Sequence, residues 1–100
     1  MKNKQRKFHP KFAVDLKNAT SYYDEISLRV GNDFRDEVQA KLDLIASTSE
    51  GFAIIYRDVR PVRLRKFPYV LLYRSYNDHV QYVGLVFGST ERINWFNIPD

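Results

Sequence analysis

Residues 62–74 read Val62-Arg63-Leu64-Arg65-Lys66-Phe67-Pro68-Tyr69-Val70-Leu71-Leu72-Tyr73-Arg74. From Val62 to Phe67 the side chains alternate, with Val62 and Leu64 on one face and Arg63, Arg65 and Phe67 on the other, which is the two-residue period of a strand. Pro68 lacks an amide hydrogen, so a bend or an edge position belongs there. Tyr69 to Arg74 is rich in aromatic and branched residues and reads as a second strand. Ser75 to Asp78 supplies a polar hairpin turn, and His79 to Phe87 a further strand with Gly84 in its middle, where a bulge or close packing is expected. Upstream, Phe52 to Tyr56 is also apolar and β-rich.

Before Gly51 the period is different. Phe12, Leu16, Ala19, Tyr23 and Ile26 are spaced 4, 3, 4 and 3, and Phe34, Val38, Leu42 and Ile45 are spaced 4, 4 and 3. Each set is one stripe of an amphipathic helix. Gly31 and Asn32 offer a turn or cap where the first pattern frays, and Glu37 with Lys41 gives a favourable i,i+4 pair on the second helix. Arg6 to His9 fits a short first strand, ended by Pro10 at a helix start. The order is β-α-α-β-β-β, an α+β fold whose helical hairpin packs on one face of a small, mainly antiparallel twisted sheet. The opposite face is expected to be short of cover and to display the arginines.

One hundred residues suit a single domain spanning residues 1–100. With no cysteine, a disulfide framework, a thiolate zinc site and a cysteine nucleophile are excluded, and two histidines cannot build a histidine cage. No metal and no cofactor is called for. The longest apolar runs fall far short of a membrane span, and no apolar stretch follows the charged Met1 to Lys7, so a cytoplasmic chain without a membrane partner is expected.

The net charge of +4 is unevenly spread: residues 1–10 carry +4, residues 11–50 carry −3, residues 51–74 carry +5 and residues 75–100 carry −2. A basic segment of that density favours an anionic partner, nucleic acid or an acidic protein, although a solvated strand face would look the same. Arg60, Arg63, Arg65, Lys66 and Arg92 are the candidate cations for such contact, since guanidinium suits bidentate carboxylate or phosphate binding. Period-two spacing puts Arg63 and Arg65 on one face. The bland alternative is pairing with the acidic surface of the second helix. Trp95 reads as a cap on the core or a partner contact. Tyr69, Tyr73 and Tyr82 read as cross-strand packing, His9 as a helix-start residue and His79 as solvated. The acid pairs Asp24-Glu25 and Asp36-Glu37 read as solvated surface.

Four motifs in order resemble the ParE/RelE toxin superfamily of bacterial type II toxin–antitoxin (plasmid stabilization) modules, over nearly the whole chain. Phe12-Ala13-Val14-Asp15-Leu16 with Ala19 and Tyr22-Tyr23 is similar to the family's opening. Phe34 to Ile45 resembles its second helix. Arg63 to Tyr73 resembles the arginine, Phe-Pro-Tyr and tyrosine signature of ParE-like members. Val86-Phe87-Gly88-Ser89 with Trp95 looks like its close. The resemblance implies a toxin neutralised by a cognate antitoxin in a hetero-oligomer. Superfamily members either inhibit DNA gyrase, as ParE-like toxins do, or cut mRNA on the ribosome, as RelE-like toxins do.

Ribonuclease chemistry needs proton transfer and cations on the developing phosphorane charge. The arginine expected in the strand Tyr69 to Tyr73 is replaced by Val70, Leu71 and Leu72, and the late histidine by Phe87, which can neither accept nor donate a proton. The residues therefore lean against an enzyme and toward a ParE-like toxin that binds gyrase. The alternatives are a RelE-like ribosome-dependent endoribonuclease with an altered set, its candidates Arg63, Arg65, Tyr73 and Arg92, or a decayed member that only binds its antitoxin.

Overall fold

The structure, a computed structural model, describes residues 3–95, 98 and 99. In chain order they form β1 (Gln5–Phe8), α1 (Pro10–Ile26), α2 (Leu28–Ser47), β2 (Val59–Arg63), β3 (Tyr69–Ser75), β4 (His79–Phe87) and a short 3-10 turn (Thr90–Arg92). The sheet order is β1-β4-β3-β2, with β1 parallel to β4 and the other neighbours antiparallel, so the expected β-α-α-β-β-β order holds on a mixed sheet. No helix among the described residues is long and apolar enough to cross a membrane.

Local chemistry sets the helix ends. His9 caps α1, its Nδ1 accepting the Lys11 amide at 3.0 Å, with Pro10 in the first turn. Ser27 serves both helices: its amide donates to the Tyr23 carbonyl at 3.1 Å, and its Oγ accepts the Val30 amide at 3.1 Å. The break therefore falls at Ser27, not at Gly31 and Asn32 as the pattern suggested, because one residue satisfies an orphan group of each helix. Gly31 lies inside α2 for a different reason. A Cβ there would stand 1.8 Å from Asp24 Oδ1, so the glycine lets the end of α1 approach closely. Asp24 in turn accepts two hydrogen bonds from Arg35, at 2.8 and 2.5 Å, which hold its carboxyl below the ordinary range. Asp24 is thus part of the interhelix joint, which corrects its reading as solvated surface, while Glu25 is exposed as read.

The main core lies between helices and sheet. Phe12, Ala19, Tyr23, Phe34, Val38, Leu42 and Ile45 meet Val62, Leu64, Leu71, Tyr73, Val80, Tyr82 and Leu85, all buried. The helical stripes are those read from the spacing, except that Ile26 is exposed. The register slips between Leu72 and Tyr73, which face Gly84 and Tyr82, leaving Val83 as the extra residue of a bulge. Gly84 also meets α1 closely, its missing Cβ lying 3.3 Å from Lys11 Nζ and 3.4 Å from Asp15 Oδ2. Asp15 accepts the Leu85 amide at 3.0 Å and Lys11 Nζ at 2.6 Å, so the bulge and the close approach expected at Gly84 both occur.

The far face of the sheet differs from expectation. Val59, Val70, Leu72 and Val83 form a second buried cluster, covered by Ile93, Trp95 and Ile98 of the C-terminal segment. Arg74 on this face is buried and donates from Nε to Asp58 at 2.7 Å, whereas Arg63, the register partner of Val70, stays exposed. The strand expected at 52–56 is irregular, and the one at 62–67 is displaced to Val59–Arg63. Residues 52–58 instead fold back on β2: the Ile55 amide donates to the Val59 carbonyl and the Val59 amide to Tyr56 through a turn with Arg57 at φ 52°. Beyond Arg63 the chain bends away from the ladder because Glu37 of α2 accepts the amides of Arg65 and Lys66.

The start of β1 is tied to the loop after α2. Lys4 donates its amide to the Ala46 carbonyl and its Nζ to Glu50, Ser75 and the Tyr76 carbonyl. Hydrogen bonds from Ser49, Lys4 and Ser75 hold the Glu50 carboxyl down at about 2. Because the folded value is depressed, this tether is complete above the unfolded pKa, near 4.5, and is lost as pH falls toward about 2. Glu50→Gln is expected to lower the melting temperature at neutral pH and to flatten its fall between pH 4.5 and 2, read by circular dichroism.

Candidate functional site

The geometry of β2 decides where this molecule can be approached. The Leu64 amide donates to the Tyr69 carbonyl at 3.0 Å, so by alternation the amides of Val59, Pro61 and Arg63 turn away from β3. At that outer edge the Val59 amide and carbonyl are already taken by residues 55 and 56, and Pro61 has no amide hydrogen. At this edge the amide donors at 59 and 61 are thus removed from ladder extension, leaving the Arg63 amide. Beside it an open groove of about 390 Å³ runs between α2 and β2, lined among others by Lys41, Leu44, Phe52, Ile55, Pro61 and Arg63. Leu44, Ile54 and Ile55 are exposed by 41%, 50% and 55%, more than scattered surface apolar residues of an irregular segment require.

The candidate cations have separate fates. Arg60 is a strut: its Nη1 donates to the Phe52 carbonyl at 2.6 Å, fastening the 52–58 segment, while its buried Nε has no partner among the described residues. Arg63 is exposed at the end of β2. Arg65 and Lys66 are exposed in the bend that Glu37 holds by its carboxylate. Strand period ends at Arg63, so Arg63 and Arg65 do not share a strand face, contrary to the alternation read from 62–67. Lys41, Arg63, Arg65 and Lys66 have no carboxylate within ion-pair distance of their side chains among the described residues. The backbone of Arg92 lies in the 3-10 turn, but its side chain lies outside the described residues. Trp95 stacks on Tyr56 at 5.2 Å and 22° and packs on the second core, so it is a cover for the sheet.

Tyr73 is wholly enclosed. Its hydroxyl donates to the Ser49 carbonyl at 2.7 Å, and burial pushes its pKa up to about 12. No substrate phosphate can reach that oxygen in this arrangement, which corrects its candidacy as a proton-transfer group. Val70 and Leu72 are fully buried and Phe87 is 72% exposed. His79, expected to be solvated, is part-buried, stacks on Tyr76 at 4.4 Å and lies 2.7 Å from Asp78. Glu37, Lys41, Leu44, Ile54 and Ile55 were not singled out as site residues from sequence. The charge of 41 and the apolar pair 54–55 were visible, but only folding brings them together.

A helical hairpin on one face of a four-stranded mixed sheet, with this strand order, is the ParE-like fold. The chain superimposes on a solved chain described as "Chromosomal ParDE TA system from P. aeruginosa" with a TM-score of 0.75 at 16% identity, over 86% of this chain and 97% of that one. No protein-family model matches the sequence, and no curated protein sequence matches it. At that identity the likeness establishes the fold, and function must be argued from the surface.

Tyr73→Phe removes one buried hydrogen bond and strands the Ser49 carbonyl. It is expected to cost roughly 1–3 kcal/mol in a urea melt with no change in surface properties.

Proposed function

We propose that this chain is the toxin of a type II toxin–antitoxin module, neutralised by an acidic antitoxin and acting by binding DNA gyrase. The observation that carries the reading is the groove beside β2, in a chain with the ParE-like fold. Exposed Leu44 and Ile55 line it together with Lys41 and Arg63, which have no carboxylate within ion-pair distance among the described residues, while Arg65 and Lys66 lie in the adjoining hollow with Asp33, Asp36 and Glu37. Such a surface suits a segment with apolar anchors and an acidic rim. A cytoplasmic toxin–antitoxin hetero-oligomer follows from the same reading.

The burial of Tyr73 and the apolar residues at 70, 72 and 87 support action by binding over RNA cleavage. A ribosome-dependent endoribonuclease is therefore the second reading, and induction of this chain alone in a bacterial host separates the two. Pulse-labelling is expected to show DNA synthesis failing first, followed by a DNA-damage response. Protein synthesis stopping within minutes, with mRNAs cut at codon positions, would overturn gyrase as the target. Loss of neither would leave only antitoxin binding.

Within the complex, Ile55→Asp is expected to weaken antitoxin binding by about 30-fold. Arg63→Ala with Arg65→Ala should mainly slow association and reduce its salt dependence, both read by titration at two ionic strengths. Unchanged binding in both variants would remove the groove from the interface.

A further inference from the structure

Glu37 stands four residues before Lys41 on α2, the spacing at which a glutamate ordinarily neutralises a lysine on the same helix. Here the two do not pair. Both oxygens of the Glu37 carboxylate are spent on main chain instead: Oε2 accepts the Arg65 amide, and Oε1 accepts the Lys66 amide at 3.0 Å. Arg65 and Lys66 are therefore held through their backbone and not through their side chains, which stay exposed. Neither side chain has a carboxylate within ion-pair distance among the described residues.

These groups share one place. An open hollow of about 350 Å³ between α2 and the bend after β2 is lined by Glu37, Lys41, Arg65 and Lys66, with Asp33 and Asp36 toward the start of the helix. Neither aspartate forms an ion pair among the described residues, so the cations of the hollow are not closed on the acids beside them. A long cationic side chain on a loose segment must be ordered by whatever binds it, which costs affinity, whereas one on a fixed main chain is partly ordered beforehand. The two amide bonds from Glu37 fix that main chain at consecutive residues.

We infer that Glu37 is a positioning residue for the acidic partner: by holding the bend it presents Arg65 and Lys66 as unpaired cations. This rests on the reading of an acidic partner given above, and it names the residue of α2 that governs the partner's electrostatic contact.

The charge and the geometry of Glu37 act in opposite directions, which separates the two roles. As a charge alone Glu37 repels an acidic partner, so its removal would tighten binding. As a latch it orders the cations, so its removal weakens binding. The probe is polyglutamate, titrated calorimetrically into the full chain at two ionic strengths. Glu37→Ala is expected to weaken binding about fivefold and to reduce its salt dependence, in spite of the lost negative charge. Glu37→Asp keeps the charge but is one methylene shorter, and it should also weaken binding. In a chain already carrying Arg65→Ala and Lys66→Ala, Glu37→Ala should no longer weaken binding but tighten it slightly, a reversal that a general loss of stability does not produce. Hydrogen exchange at the amides of 65 and 66 should speed up in both Glu37 variants, while the Leu64 amide, bonded to the Tyr69 carbonyl, stays protected and shows that the hairpin is intact. Unchanged or tighter binding with Glu37→Ala alone, or a weakening that persists without Arg65 and Lys66, would overturn the assignment of Glu37 and leave the acidic partner standing. Failure of the unaltered chain to bind polyglutamate at low salt would overturn the acidic-partner reading and this inference with it.

Discussion

Two buried phenols set the position of the helices on the sheet. Tyr73 and Tyr82 are register partners at the centre of the β3–β4 pair, and neither is exposed. A phenol enclosed without a partner would cost about 1–3 kcal/mol. Each finds a main-chain carbonyl: Tyr82 reaches Leu42 within α2, and Tyr73 reaches Ser49 just after it, both at 2.7 Å. These two bonds fix α2 and the chain leaving it to the middle of the sheet. Burial pushes both hydroxyls up to about 12, so they remain neutral donors across the physiological range. With α2 so fixed, Glu37 arrives over the amides of Arg65 and Lys66, and Asp43 comes within 2.6 Å of Arg6 on β1.

What was legible in the sequence was what depends on local periodicity. The stripes through Phe12 and Phe34 are buried as their spacing requires, and β3 and β4 fall close to the predicted runs. The misread places are those where a distant group decides. Alternation carried the strand at 62–67 past Arg63, but a carboxylate 28 residues earlier takes the Arg65 amide and ends it. The apolar run 52–56 was β-like in composition, yet Pro61 and the fold-back at Arg57 leave it no ladder to join. Gly31 looked like a turn because glycine commonly marks one, when its role is to admit Asp24.

The same distinction applies to the site. Candidate cations could be counted from sequence, but their availability is a tertiary property. Arg60 and Arg74 are consumed as internal struts, to the Phe52 carbonyl and to Asp58, and Arg6 is held by Asp43. Arg63 and Lys41 keep exposed or half-exposed charge beside Leu44 and Ile55, and Arg65 and Lys66 are exposed in the bend after β2. A strongly basic stretch of sequence therefore resolves into a buried half that supports β2 and an outward half that can meet a partner.

The groove beside β2 and the end of β4, where Phe87 is exposed, then differ in what they can select. Beside β2, Leu44 and Ile55 share the groove with Lys41 and Arg63, so a partner gains electrostatic steering only if it is acidic. At the end of β4, the edge-on pair of Tyr69 and Phe87 is uncharged, so affinity there must come from aromatic area and shape. High salt should weaken the first kind of contact and spare the second, because screening acts on unpaired surface charge and not on apolar burial. The two surfaces therefore differ in the contact they offer: complementarity of charge beside β2, and aromatic area where Phe87 and Tyr69 meet.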